Sequence, residues 1–128
     1  MNIYTIEFLI KLKNATLARK EKIITPFNRL SLELVKSLYR EGFVQSFYIQ
    51  KHSNEKKITV FLRFFYNKGL LRDLKIISTP SFVRYLTLKD ICKLNTRKSV
   101  MFFSTSKGIL TTLECKKYQL GGSLLFLC

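Results

Sequence analysis

The chain reads Ser104-Thr105-Ser106-Lys107-Gly108 directly after the apolar run Val100-Met101-Phe102-Phe103. Four apolar residues predict a buried strand, and three hydroxyls, a cation and a glycine predict a polar loop after it. Further on, Gly121-Gly122 precedes a second apolar run, residues 124–127, which predicts a terminal strand. A polar loop held between two buried strands is rigid, and such loops often carry binding residues. We therefore take the loop and the two glycines as a candidate binding site, with a turn that binds nothing as the alternative.

The charge of the chain indicates which kind of ligand suits it. The 128 residues contain 23 Lys and Arg against 8 Asp and Glu, a formal net charge of +15. Residues 1–64 contain 12 basic and 5 acidic side chains, and residues 65–128 contain 11 and 3, so the excess is spread over the whole chain. A hydrophobic content of 47%, with eleven Phe and six Tyr, predicts a folded protein. A folded, basic protein of this kind is suited to a polyanion.

Cysteine spacing and hydropathy exclude several classes of protein. Cys92, Cys115 and Cys128 are odd in number and form no C-x-x-C pair, which argues against a disulfide framework or a zinc site and favours a reducing compartment. No apolar run approaches the roughly 18–20 residues that a membrane span requires. The first residues match neither a secretory signal nor an Arg-rich transit peptide. We therefore expect no metal, no cofactor and no membrane span.

Hydrophobic periodicity predicts the order α-β-α-β-β for the first half of the chain. The elements are a helix over residues 4–13 that ends near Asn14, a short strand at 23–24, a helix opened by Pro26 and Asn28 and closed by Gly42, and strands at 43–49 and 58–64. Aromatic residues 64–66 are expected in the core. Asn67-Lys68-Gly69 interrupts the pattern and is the predicted hinge, so we assign residues 1–68 to an N-terminal α/β domain.

Residues 69–128 are assigned to a β-rich C-terminal domain. The predicted elements are strands at 76–77, 83–86, 100–103 and the terminal run, with a turn at 79–81 and a helical turn at 90–92. Thr111-Thr112-Leu113-Glu114 has the T-x-x-E spacing of a capping box, which predicts the start of a short helix. The predicted fold class is α+β with two small domains, the second mainly antiparallel β with a short helix.

These motifs, in this order, resemble the bacterial-type family of small-subunit ribosomal protein eight. The most specific block is Phe103 to Thr111, and Leu120-Gly121-Gly122 follows it at the family's position. Shorter pieces are similar along nearly the whole chain: residues 8–14, Pro26 to Leu30, Arg40-Glu41-Gly42-Phe43, and Pro80 with Tyr85. The resemblance implies a two-domain α+β protein that binds the central domain of small-subunit rRNA, next to other small-subunit ribosomal proteins. It also implies that the C-terminal domain, residues 69–128, is the RNA-binding domain that supplies most of the specific contact.

The resemblance also implies particular RNA contacts. It carries over Ser104, Thr105, Ser106, Lys107 and Gly108, with Tyr85 as a supporting aromatic. These residue types suit the task, because proteins recognise RNA at unpaired bases and 2′-hydroxyls, and a hydroxyl side chain both donates and accepts. Lysine adds a mobile positive charge for phosphate.

The chain also departs from the family pattern. The family glycine after Pro80 is Ser81, its arginine falls at Val83 with Arg84 next to it, and the glutamate after the two glycines is Ser123. We keep Arg84 as a candidate RNA contact. Heavy use of Lys, Asn, Ile, Phe and Tyr indicates an AT-rich genome. Together these features favour an organellar member, mitochondrial rather than plastid or bacterial.

A second group of cations lies near the start of the chain. Lys11, Lys13, Arg19, Lys20 and Lys22 are candidates for phosphate contacts, which position an RNA without reading its sequence. Each of them alone is an ordinary surface charge, so only the group indicates a site.

Other functions remain as alternatives. Ser104-x-x-Lys107 matches the Ser-x-x-Lys motif of penicillin-binding enzymes, but the companion S-D-N and K-T-G motifs are absent from the sequence. His52 is the single histidine, and no P-loop occurs, so we expect no enzyme. A free-standing RNA-binding regulator and, with less support, a basic membrane-surface protein are the remaining alternatives.

Overall fold

The computed structural model describes residues 3–94 and 99–128, except for the side chain of His52. The chain divides into two compact units: Glu7–Asp73, and Leu74–Cys128 together with the residues up to Ile6. Helices and antiparallel sheets make up both halves of the chain, which confirms the predicted α+β class. Within the described residues, none of the helices combines the length and apolar character needed to cross a bilayer.

The first part of the chain has the predicted order of elements. They are α1 (Ile3–Leu17), β1 (Lys22–Pro26), α2 (Arg29–Arg40), β2 (Val44–His52) and β3 (Glu55–Leu62). Strand β3 lies between β1 and β2 in an antiparallel three-stranded sheet. Helix α2 packs on one side of this sheet, where the ring of Tyr39 meets the edge of Phe47 at a centroid distance of 5.7 Å.

Helix α1 is longer than the sequence predicts. It continues past Asn14 because Ala15 and Thr16 are buried and extend its apolar face. The helix ends where Arg19 adopts a left-handed φ of 58°. The N–H groups of Arg19 and Lys20 then donate to the carbonyls of Thr16 and Ala15 at 3.1 and 3.0 Å, the pattern of a Schellman motif.

Helix α2 begins and ends at the residues that its sequence signals indicate. The Asn28 side chain caps its start by accepting the N–H of Leu30 at 3.0 Å. Glu41 is the C-cap residue, and Gly42 follows it with a φ of 83°. The Phe43 N–H then donates to the Leu38 carbonyl at 3.0 Å, which turns the chain into β2.

The predicted hinge is part of a two-stranded ribbon. Strand β4 (Phe64–Phe65) pairs with β5 (Lys68–Gly69), and Tyr66 and Asn67 form the turn with φ values of 51° and 63°. The expectation that residues 64–66 are core is wrong for two of them, because Phe65 and Tyr66 are 64% and 85% exposed. Consecutive aromatics indicate burial only within a longer element, whereas here they lie in a two-residue strand and the turn that follows it.

The second unit is a single antiparallel sheet with two short helices. Its elements are β6 (Lys75–Ile76), β7 (Arg84–Leu86), α3 (Leu88–Cys92), β8 (Met101–Thr105), β9 (Gly108–Thr111), α4 (Thr112–Tyr118) and β10 (Gly122–Leu127). Strand β10 is central, with β8 on one side and both β6 and β7 on the other, and β9 lies beyond β8. Thr111 caps α4 by accepting the N–H of Glu114, so the predicted helix start is confirmed.

Aromatic and aliphatic residues fill both sides of this sheet. Phe103, Leu110 and Leu124 form one buried cluster with Ile91 of α3 and Cys115 of α4. The alternate positions Phe102 and Phe126 are also fully buried, and their rings stack at 4.6 Å. Each of these strands therefore carries apolar residues on both faces, which is why β8 and β10 read as continuous apolar runs.

The three free cysteines are expected to differ in reactivity. Burial raises the pKa of Cys128 to about 12, and burial with the Glu114 charge raises that of Cys115 to about 11, from 9.0. Cys92 is exposed. Because the thiolate is the reactive form, an alkylating reagent near pH 8 should modify Cys92 first, and the other two much more slowly. Intact-mass spectrometry measures this order, which fast labelling of Cys115 in the folded protein would contradict.

The same pKa shifts predict a loss of stability at alkaline pH. The folded pKa values of Cys115 and Cys128 lie above their unfolded value of 9.0, so their contribution is complete below pH 9 and decreases as the pH rises above it.

Candidate nucleic-acid interface

The run Ser104 to Gly108 forms a tight β-hairpin rather than the predicted loop. Ser104 and Thr105 belong to β8, and Gly108 begins β9, so only Ser106 and Lys107 form the turn. The sequence prediction missed β9 because its apolar residues, Ile109 and Leu110, are few and stand directly before the helix start. Gly108 has a φ of 102°, which favours glycine and allows the strands to reverse within two residues.

Hydrogen bonds within the hairpin fix its shape. The Thr105 hydroxyl donates to the Gly108 carbonyl at 2.9 Å and accepts the Lys107 N–H at 3.2 Å. This side chain therefore stabilises the turn. Ser106 and Lys107 are exposed at its tip, and nothing lies within 4 Å of the position where a side chain on Gly108 would begin. The tip therefore presents a hydroxyl, a cation and open space beside the backbone.

The ammonium group of Lys107 rests on an aromatic ring. Its Nζ atom lies 4.5 Å from the centroid of Tyr118, at the end of α4, and the Nζ of Lys117 lies 5.7 Å from the same ring. Cation–π attraction of this kind is worth about 0.5–1 kcal/mol at exposed sites. Tyr118 therefore gives Lys107 a preferred position on the side of the hairpin that faces α4.

Strand pairing places a row of polar side chains next to the hairpin. Ser123 of β10 lies directly between Tyr85 of β7 and Ser104 of β8. Residues paired across strands project from the same face of a sheet. Tyr85 is 66% exposed, and the two serines are half-buried. The row therefore presents two aliphatic hydroxyls and a phenol on one face.

The two glycines allow the strands to approach closely at this row. A Cβ atom on Gly122 would lie 2.5 Å from the carbonyl oxygen of Ser104 and 2.9 Å from Cγ2 of Thr105. A Cβ atom on Gly121 would lie 2.8 Å from the carbonyl oxygen of Leu86. Both glycines thus have a packing role in the structure, and Gly122 is fully enclosed.

A short turn leads into strand β7. The backbone groups of Thr79 and Phe82 bond to each other at 2.8 and 3.2 Å, and the Thr79 hydroxyl accepts the Phe82 N–H at 3.1 Å. Phe82, Val83 and Arg84 are all exposed, so Arg84 is available to solvent beside Tyr85.

The cations of the first unit do not form one compact group. Lys11 and Lys20 line a groove of about 420 Å³ together with Glu7 and Asn14. The ammonium of Lys11 also donates to the Ile24 carbonyl of β1 at 2.6 Å. Lys13 is half-buried and, two residues along the helix, points to a different side from Lys11. Arg19 is exposed on the segment that leads into β1, and Lys22 is exposed as the first residue of that strand.

Sequence reasoning missed three contributors to this region. Lys117 and Tyr118 are the last two residues of the short helix α4. Nothing in the sequence around them indicates that Tyr118 contacts the turn at Lys107. Ser123 was noted only as a departure from a family pattern. Its position between Tyr85 and Ser104 depends on strand register, including a bulge between Leu124 and Phe126.

A basic α+β chain with a hydroxyl-and-cation hairpin has the features of a small protein that binds a polyanion. In the described residues, no group of three or more His, Cys, Asp or Glu side chains is placed to hold a metal ion. The family model described as Ribosomal protein S8 matches residues 5–128. The chain belongs to the ribosomal protein S8 family, which confirms the resemblance seen in its motifs and the expectation that it is not an enzyme.

Individual relatives cover nearly the whole chain. Each is named small ribosomal subunit protein uS8. The relative from Acholeplasma laidlawii is 35% identical over 120 residues, with 93% of this chain and 91% of the relative covered. The relative from Mycoplasmopsis pulmonis is 33% identical over 119 residues, with 93% and 90% covered. The relative from Anaeromyxobacter sp. (strain K) is 30% identical over 120 residues, with 93% and 91% covered.

Proposed function

We propose that the chain is a structural constituent of the small ribosomal subunit, where it binds the central domain of the small-subunit rRNA and stabilises its fold next to other ribosomal proteins. The observation that carries this proposal is the hairpin tip, where Ser106 and Lys107 are exposed beside the open backbone of Gly108. The names of the relatives and the family membership support the same subunit.

The proposed mechanism is non-covalent binding of RNA with no catalysed reaction. The hydroxyls of Ser104, Ser106 and Ser123 provide donors and acceptors for ribose and base edges, and Tyr85 offers a ring for an unpaired base or ribose. Lys107 contacts phosphate as a point charge. Thr105, Gly121 and Gly122 shape this surface, since their contacts are internal. Arg84 adds a cation beside Tyr85.

The rest of the chain contributes general affinity. With 23 basic and 8 acidic side chains, most cations have no acidic partner in the chain, so phosphates are their natural counterions. Of the candidates in the first unit, Arg19, Lys20 and Lys22 are the most open to phosphate, because Lys11 is engaged with a carbonyl and Lys13 is half-buried.

We further propose a mitochondrial ribosome as the location. The support is the bias toward residues with AT-rich codons and the departures from the family pattern at Ser81, Val83 and Ser123. The relatives named above are bacterial, so this part of the proposal depends on the sequence of the chain alone.

A salt titration of RNA binding tests the proposed function. The protein is titrated against the central-domain hairpin of small-subunit rRNA and against a plain RNA duplex of equal length, over a range of salt concentrations. We expect the protein to bind the rRNA hairpin more tightly than the duplex. This preference should persist at moderate salt, since specific contacts do not depend on counterion release. Equal affinity for both RNAs, lost steeply as salt rises, would contradict specific binding. Co-migration with small subunits on a gradient separates a ribosomal role from that of a free regulator.

A further inference from the structure

The three-stranded sheet of the first unit has a face that α2 does not cover. Strand register defines it as three cross-strand rows: Lys22–Phe61–Ser46, Ile24–Thr59–Tyr48 and Pro26–Lys57–Gln50. The alternate residues, including Ile23, Val60 and Phe47, project to the opposite side, where Phe47 meets Tyr39 of α2. We call the face with the three rows the open sheet face.

The centre of the open sheet face is apolar and aromatic. Ile24 and Tyr48 are 47% and 42% exposed, and Phe61 is half-buried between them on the neighbouring strand. The rings of Tyr48 and Phe61 lie 5.9 Å apart with an interplanar angle of 36°. Two adjacent rings on one face of a sheet provide π-faces of the kind on which unpaired bases stack.

A buried hydroxyl lies beneath this apolar patch, formed by Ile24, Tyr48 and Phe61. Thr59 is fully buried in the central row, and its Oγ1 atom has no hydrogen-bond partner among the described residues. A buried hydroxyl without a partner costs about 1–3 kcal/mol. The hydroxyl of Thr59 therefore leaves a hydrogen bond unmade in the centre of the open sheet face.

The charges around the patch identify the kind of molecule. Both charged residues in the three rows are lysines, with Lys22 at one end and Lys57 at the other. One row of the face, Ile24–Thr59–Tyr48, lies between them, and the two lysine rows are about 13 Å apart along the strands. The three rows contain no acidic residue, and Glu55, two residues before Lys57 on β3, is an acidic residue on the same face beyond them.

The size of the patch favours nucleotides over a protein. Three apolar side chains cover far less than the roughly 800 Å² that each partner of a stable protein interface buries. Stacking of one or two bases needs only adjacent rings and nearby cations. We propose that the open sheet face binds one or two unpaired nucleotides of RNA, with bases on Tyr48 and Phe61 and phosphates at Lys22 and Lys57.

Methyl NMR on the full chain tests this surface directly. The probe is an unstructured eight-nucleotide RNA of alternating adenine and cytosine. We expect the Ile24 δ1-methyl and the Thr59 γ2-methyl signals to shift during titration, whereas that of Ile23, buried on the other face, stays in place. Saturating RNA with no shift at Ile24 or Thr59 would overturn the proposal, because the RNA would then bind elsewhere on this basic chain.

Substitutions provide an independent measurement of the same contact. Tyr48→Ala should weaken binding of this RNA about tenfold, and Tyr48→Phe should retain it, since both rings stack. Tyr39→Ala is the matched control, because Tyr39 is also a half-exposed tyrosine but lies on the helix-covered side. A Tyr48→Ala effect below twofold, or equal to that of Tyr39→Ala, would contradict the proposal and leave a protein as the occupant of the face.

The expected NMR shifts do not depend on the proposed role of the β8–β9 hairpin in RNA binding. The same titration in a Ser106→Ala/Lys107→Ala background should still shift Ile24 and Thr59. Loss of these shifts in that background would contradict a separate nucleotide site. If the shifts remain while the variant loses selective binding to the rRNA hairpin, the two sites are separate, as proposed.

Discussion

Replacing Gly122 with alanine should lower the free energy of unfolding by about 3 kcal/mol, the upper end of the range for overpacking substitutions. The added Cβ would lie 2.5 Å from the carbonyl oxygen and 3.2 Å from the carbonyl carbon of Ser104. Both contacts are backbone atoms of the neighbouring strand β8. A flexible side chain can rotate away from such a contact, whereas a paired strand moves only by breaking its hydrogen bonds. We therefore expect the cost to come from separation of β10 and β8.

Thermal unfolding followed by circular dichroism measures this loss. For a unit of this size, a cost of about 3 kcal/mol corresponds to a fall in Tm of roughly 12–24 °C. Ser123→Ala is the matched control, since it changes the next residue without adding an atom and should alter stability by about 0.5 kcal/mol or less. A Gly122→Ala variant within about 1 kcal/mol of the unchanged protein would show that β10 shifts without cost, contrary to the close packing.

The same substitution should also weaken RNA binding in the protein that remains folded. Gly122 sets the separation between Ser104 and Ser123, so a displaced β10 would move Ser123 and Tyr85 away from the hairpin. The loss of stability that accompanies it separates a packing role of Gly122 from a direct RNA contact, because loss of a direct contact alone would weaken binding and leave stability unchanged.

Periodicity and capping signals predicted most of the fold. The order α-β-α-β-β follows from apolar spacing, and Asn28, Gly42 and Thr111 mark helix ends through local hydrogen bonds that depend on few neighbours. Signals of this kind fail where tertiary burial extends an element. Helix α1 continues through Ala15 and Thr16 for that reason.

The candidate site was predictable in its residues and not in its arrangement. The run from Ser104 to Gly108 is visible in the sequence, but its division into two strands and a two-residue turn depends on Ile109 and Leu110 joining the sheet. The row Tyr85–Ser123–Ser104 requires the pairing of three strands that are distant in sequence. The contact of Lys107 with Tyr118 likewise arises from tertiary packing.

Changing both tip residues, Ser106→Ala with Lys107→Ala, should reduce binding to the central-domain hairpin about a hundredfold. Loss of a hydrogen bond from Ser106 to RNA is expected to cost about 1–2 kcal/mol. Loss of the Lys107 charge removes a phosphate contact and should lower the slope of log affinity against log salt by about 0.7–0.9. Stability should change little, because both side chains are exposed and the bonds of Thr105 hold the turn.

The single substitutions separate the two roles of the tip. Ser106→Ala should weaken binding to the central-domain hairpin and leave binding to a plain duplex unchanged, because a hydroxyl that reads RNA acts only where its partner is present. Lys107→Ala should weaken both, and Lys36→Ala, an exposed lysine of α2, serves as the charge control. Fluorescence anisotropy at several salt concentrations measures all three. Equal losses from Ser106→Ala on both RNAs, or a Lys36→Ala effect as large as that of Lys107→Ala, would show that the tip adds charge without recognition.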